Sequence, residues 1–187
     1  LQSKDGVLEI NRLHFAFGFL MPTYSRSGCP INLATEVVGD RWSMIVLRDI
    51  IFGERRTFRD ILTNSLEGIA SNILADRLRK LVENGMLTAA ADPHHKQRTI
   101  YSLTEKSIAL LPALVALGAW ARMFLSVSPE LAIRNQVLEE GGVALQNAFM
   151  DELRTQHLGA SAPEDNQAIS EKLRAAHAAF DAASRKP

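Results

Sequence analysis

The chain predicts a mainly α protein with one small β-hairpin, and three observations carry that expectation. Apolar residues recur at helical spacing in separate stretches from residue 30 onward. The period changes only after Gly85, where two short runs read as strands around a polar loop. The tail, ending in "LRAAHAAFDAAS", is alanine-rich and helical by propensity.

Each element has its own signals. Cys29 and Pro30 serve as N-cap and first-turn proline of a short helix, "INLATEVVG", closed by Gly39. Trp42, Ile45, Val46, Asp49 and Ile50 then mark a second helix, which should stop at Gly53. Thr57 with Asp60 resembles a capping box opening the brief helix "FRDILTN". After the turn "SLEG" comes "GIASNILADRLRKLVENGML", with Ile73, Leu74, Leu78, Leu81 and Val82 on one stripe. Ser71 is the expected N-cap of that helix and Gly85 its C-terminal stop. Asn72, Ala75, Asp76, Arg79 and Glu83 fall on the opposite side and must face out.

"MLTAAA" and "RTIYSL" form the hairpin around the exposed loop "DPHHKQ". Thr104 then caps an apolar helix reaching Leu125, which Pro112 should kink or divide. Two more helical stretches follow, at roughly residues 130–158 and 163–184. A short helix, a turn, an amphipathic helix and a hairpin tipped with His94, His95, Lys96 and Arg98 make a winged helix-turn-helix. The expected division is therefore an upstream or vector-derived segment over 1–20, a reading and dimerisation domain over 21–126, and a helical C-terminal extension over 127–187.

The bulk numbers narrow the function classes. At 187 residues, 47% hydrophobic and 22% charged, the composition is that of a globular protein. No uninterrupted apolar run reaches the roughly eighteen residues a membrane span needs, so no membrane partner is expected. Net charge is zero, but Arg41–Lys106 holds 11 Lys+Arg against 8 Asp+Glu, whereas Val127–Pro187 holds 6 against 9. Nucleic-acid contact would thus belong to the middle of the chain. The single cysteine excludes an internal disulfide and suits a cytoplasmic location.

"CPINLATEVVGDRWSMIVLRDIIFGERRTFRDI", "GIASNILADRLRKLVENGML" and "IYSLTEK" together resemble the HxlR-type winged-helix transcriptional regulators, relatives of the MarR group. The resemblance covers about Gly28 to Leu125 and departs at Ser107, where the family usually has glycine. It implies a cytoplasmic homodimer that binds double-stranded operator DNA, with helices outside the reading head at the dimer interface. It also implies Cys29 as the redox-sensing candidate, since some relatives use such a cysteine to sense oxidants or electrophiles.

The candidate DNA-binding residues are Ser71, Asn72, Ala75, Asp76 and Arg79 on the helix, Lys96 and Arg98 on the wing, and Arg55 and Arg56 before the brief helix. Arginine can read guanine, and asparagine adenine, through paired hydrogen bonds. Asp76 would repel phosphate, so it must meet a base edge, pair with an arginine, or sit away from DNA. Trp42 is expected to anchor packing. His94 and His95 are adjacent in a loop with no further ligand at metal spacing, so neither metal nor cofactor is expected. Nothing arranges a catalytic triad, a phosphate loop or paired carboxylates, which argues against an enzyme. The alternative is a winged-helix module that binds protein rather than DNA. A small-molecule effector is left unnamed.

Overall fold

The structure, a computed structural model, describes residues 27–95, 97–161 and 168–184. The chain forms two compact units, residues 1–36 and 37–187. In the first, helix α1 (Pro30–Val38) opens as its proline predicts. The Leu33 N–H donates to the Cys29 carbonyl at 3.0 Å, and Asn32 reaches Glu36 one turn on at 2.8 Å.

The second unit begins within the last turn of α1 and is built on α2 (Arg41–Gly53). Asp40 caps α2 by accepting from the Trp42 and Ser43 N–H groups. Gly53 was the expected stop, but it is the last helical residue; Glu54 takes the left-handed conformation at φ 53°. Both the Glu54 and Arg55 N–H groups return to the Asp49 carbonyl, which closes the helix without glycine's freedom.

Helix α3 (Phe58–Asn64) follows its cap Thr57, whose hydroxyl oxygen accepts from the Asp60 N–H at 3.2 Å. Helix α4 (Ser71–Glu83) starts one residue earlier than expected. Ala70 is the last extended residue, so Ser71 is inside the helix and no side chain caps its N-terminus. Leu74, Leu78 and Leu81 are buried against α2, as the stripe predicts. Gly85 takes φ 66°, the turn that glycine makes cheaply.

Strands β1 (Leu87–Ala91) and β2 (Thr99–Leu103) pair antiparallel, from Leu87 opposite Leu103 to Ala91 opposite Thr99. The segment before α3 also docks on β2, through a Thr57–Ile100 bridge and a Tyr101 N–H bond to the Arg56 carbonyl. Pro112 does divide the next helix. A single turn, α5 (Glu105–Ile108), gives way to α6 (Leu111–Phe124), with the proline in its first turn. Ser107 is fully buried; its hydroxyl accepts from the Thr104 N–H and donates to the Thr104 carbonyl, both at 3.0 Å. Residues 105–124 are long and apolar enough to cross a membrane by composition, yet the break at Ala109–Leu110 and packing of α6 on the next helix suit a globular fold.

The stretch expected as one helix over 130–158 is two, α7 (Pro129–Glu140) and α8 (Gly142–Leu158). Gly142 at φ 61° makes the break, a conformation L residues resist. Helix α9 (Ile169–Ser184) packs along α7 and α8; the expected start near Pro163 lies outside the described residues. Leu138, Phe149, Leu153, Ile169 and Leu173 join the same core as Val46, Leu47 and Leu78. The Phe149 ring lies 6.0 Å from that of Phe52 on α2, so these late helices brace the scaffold that carries α4.

Candidate nucleic-acid interface

Helix α4 is fixed from behind by its leucines and at its sides by ion pairs. Arg77 reaches Asp40, the cap of α2, at 3.2 Å. Hydrogen bonds from Ser43 and the Arg77 charge outweigh partial burial and hold the Asp40 carboxyl below its usual range. Arg48 on α2 grips Glu67, in the turn before α4, through two hydrogen bonds of 2.5 and 2.8 Å. That guanidinium lowers the Glu67 pKa, and Glu67 in turn raises that of Arg48. Both pairs tie α4 and the turn before it to α2.

Ser71, Asn72, Ala75 and Arg79 all stand exposed on the free side of α4. Asp76 resolves to pairing with cations: Arg79 at 2.7 Å, with Arg77 and Lys80 each at 3.2 Å. Arg79, then Lys80, pull its pKa down, so this carboxylate stays charged and neutralised within the helix. Arg79 also binds Glu83 one turn on at 2.6 Å, which stretches its guanidinium along the helix surface. Lys80 adds a further cation to this set of pairs. Its signal was its place in the run "RLRK", four residues after Asp76.

In the wing, the Arg98 Nε donates to the Asp92 carboxylate at 2.5 Å. Asp92 is buried, and it also accepts from the His94 N–H at 2.7 Å. The backbone bond from His94, with Arg98 assisting, holds the Asp92 pKa down. The Asp92 N–H and the Arg98 carbonyl close the loop base at 2.8 Å. His94 and His95 are exposed, and Lys96 lies outside the described residues.

Arg55 and Arg56 do not share that outward face. Arg55 pairs with buried Asp49 at 3.1 Å. The Arg56 guanidinium donates to the Tyr101 and Gln156 carbonyls and to the Ser102 hydroxyl, tying β2 to the end of α8. Cys29, in the N-terminal unit, is exposed. Trp42 is half-buried against the core, with the Arg41 guanidinium 4.8 Å from its ring centre.

Among the described residues, ligand-type atoms gather at Glu130, His177 and Asp181, within 4.8 Å of one another and away from the wing histidines. The His177 Nε2 faces Glu130 at 3.8 Å and its Nδ1 faces Asp181 at 3.7 Å.

A family model described as an HxlR-like helix-turn-helix matches residues 37–129, the span from the end of α1 to the start of α7. The HTH-type transcriptional regulator YodB of Bacillus subtilis is 32% identical over 97 residues, which cover 51% of this chain and 85% of that one. An uncharacterised HTH-type transcriptional regulator of Mycobacterium bovis is 34% identical over 115 residues, 60% of this chain and 71% of the relative. One from Synechocystis is 34% identical over 89 residues, 48% of this chain, and the match spans 64% of the relative's length. Among solved structures, PA1607, a candidate transcription factor, superposes with a TM-score of 0.51 at 36% identity, over 58% of this chain and 73% of that one. The chain belongs to the HxlR-like helix-turn-helix family, whose relatives here are transcriptional regulators.

Proposed function

We propose that this protein is a sequence-specific, DNA-binding transcriptional regulator, not an enzyme, working as a cytoplasmic homodimer. The observation that carries the reading is the outward face of α4. Ser71, Asn72, Ala75 and Arg79 are exposed on a helix whose opposite side is locked into the core, and its N-terminus has no side-chain cap. Uncapped N–H groups at a helix start suit a phosphate oxygen, and the side chains beyond them can reach base edges in the major groove. Arg98 on the wing, with Lys96 beside it in sequence, would meet flanking phosphate. Reading and dimerisation are assigned to residues 21–126, with 127–187 as helical support.

The dimer reading rests on α6, where Leu117, Trp120, Met123 and Phe124 are all exposed. Such a run of large apolar side chains suits a self-complementary interface. The finer proposal for Cys29 is that oxidation there alters operator affinity. Its exposure ahead of Pro30 and the family resemblance support this, and with one cysteine any disulfide formed must be intermolecular or with a small thiol, not internal. Cys29→Ser should abolish a diamide response and keep basal binding; a response that persists in the serine variant removes Cys29 from the account.

Fluorescence anisotropy with duplex DNA at rising salt tests the reading. For a dimer neutralising about six phosphates, log affinity should fall with log salt at a slope near −5. A salt-independent or undetectable affinity would favour the protein-binding alternative.

A further inference from the structure

A cleft of about 730 Å³ lies between α2, α6 and α7, away from the α4 face. Its walls are largely apolar, with Met44, Phe52, Leu114, Leu117, Val127 and Leu131 contributing. Such a volume suits a small organic molecule. The charged groups among them decide which kind.

Most of those charges already have partners. Asp49 is answered by Arg48 at 2.6 Å and by Arg55 at 3.1 Å. Arg122 pairs with Glu139, and Glu130 faces His177. Arg134 stands apart. Its one hydrogen bond goes to the Phe52 carbonyl at 2.8 Å, and it has no carboxylate within 4.0 Å among the described residues. Its Nε is buried without a partner. Burial, and the positive charges of Arg55 and Arg174, press its pKa down, and the Glu54 charge offsets this only in part. A guanidinium resists losing its proton, so the deficit is better met by an anion.

We propose that this cleft binds a small organic acid, its carboxylate on Arg134 and Arg55 and its apolar body against α6 and the Phe52 side of α2. The proposal rests on this arrangement of the cleft alone and holds whether or not the protein binds DNA. If the DNA reading also holds, the route to it is short. The same α2 carries Arg48, which grips Glu67 ahead of α4, and the cap Asp40, which holds Arg77 of α4. An acid that recruits Arg55 from Asp49 would shift that set of pairs, and with it the pose of α4.

Titration calorimetry on the full chain, without DNA, tests the site with naphthoate and its neutral analogue naphthamide. Naphthoate should bind about tenfold or more tightly than naphthamide, the margin of a charge-assisted hydrogen bond. Arg134→Gln should erase that margin by weakening the acid alone. Ala121→Trp, which fills the cleft from α6, should block both compounds, and it serves as a second variant should loss of the Phe52 contact unfold the first. Naphthoate and naphthamide binding equally, an acid preference that survives in Arg134→Gln, or no binding up to millimolar concentration in the folded chain would each overturn the proposal. The last outcome is expected if a second copy of the chain fills the cleft instead.

Discussion

Arg98 and Asp92 close the base of the wing with a hydrogen bond of 2.5 Å, so one of the two wing cations proposed to meet phosphate also holds the wing in shape. Asp92 is buried, and its carboxylate accepts from the His94 N–H and from Arg98. Arg98→Ala should therefore loosen the hairpin as well as remove a charge. The expected result is weaker binding to cognate and random duplexes alike, by about tenfold, with faster amide exchange across residues 92–98. Slow exchange in the alanine variant would show that the pair is incidental.

Asn72 and Arg79 differ in how free they are. Asn72 is exposed and its side chain has no hydrogen-bond partner to leave among the described residues, whereas Arg79 must release Asp76 or Glu83 to reach a base. Both Asn72→Ala and Arg79→Ala should lower the ratio of cognate to random affinity, each by roughly five- to a hundredfold. Asp76→Asn should leave specificity largely in place while raising affinity for any duplex, since it removes a negative charge near the DNA. Competition binding against a fixed random duplex measures all three. Equal losses on both duplexes for the first two variants would contradict base readout by α4.

The rings of Trp120 and Phe124 lie 5.8 Å apart, tilted to one another, on the exposed side of α6. Introducing Glu at either position would place a carboxylate where a partner is expected to exclude water. Trp120→Glu is expected to give monomers in sedimentation at micromolar concentration, with a thermal midpoint close to that of the monomeric parent state. An unchanged sedimentation coefficient would place the interface elsewhere.

His157 accepts a hydrogen bond from the Leu103 N–H at 3.2 Å, and burial, with Arg56 nearby, holds its pKa down to about 4. In the unfolded chain the value returns to the usual range near 6.5. The folded state thus disfavours the proton. Its contribution to stability is complete above about 6.5, declines as pH falls, and is lost by about 4. With the discount that partial solvent exposure requires, the loss is of order 1–2 kcal/mol. Urea unfolding at pH 7 and pH 5 should show the wild-type protein weakening more than His157→Gln. Parallel behaviour of the two proteins would assign the acid sensitivity to other groups.

Local signals in the sequence reached far. The leucine stripe of α4, the glycine turn after it, the hairpin strands and the division at Pro112 are all consequences of neighbouring residues. The differences arose where a distant residue or a competing local geometry decided. Arg56 looks like a surface cation until its partner Gln156, a hundred residues on, is in place. Phe149 gives no sign in sequence of its contact with Phe52. Glu54 rather than Gly53 takes the left-handed position, with Arg55 turned back to Asp49, an arrangement the glycine signal does not foretell. The unpaired Nε of Arg134 is likewise invisible until α7 is laid against α2.

The central claim is that a dimer presents two copies of α4 to a specific operator. Selecting duplexes from a random pool with the full chain, then sequencing the bound fraction, tests it most directly. A dimer reading its operator through α4 should enrich a motif with two-fold symmetry, its half-sites about one DNA turn apart or a simple multiple of that. Arg79→Ala should blur the same positions in both half-sites. A pool that stays random at low salt, or a motif without symmetry that Arg79→Ala leaves untouched, would contradict it.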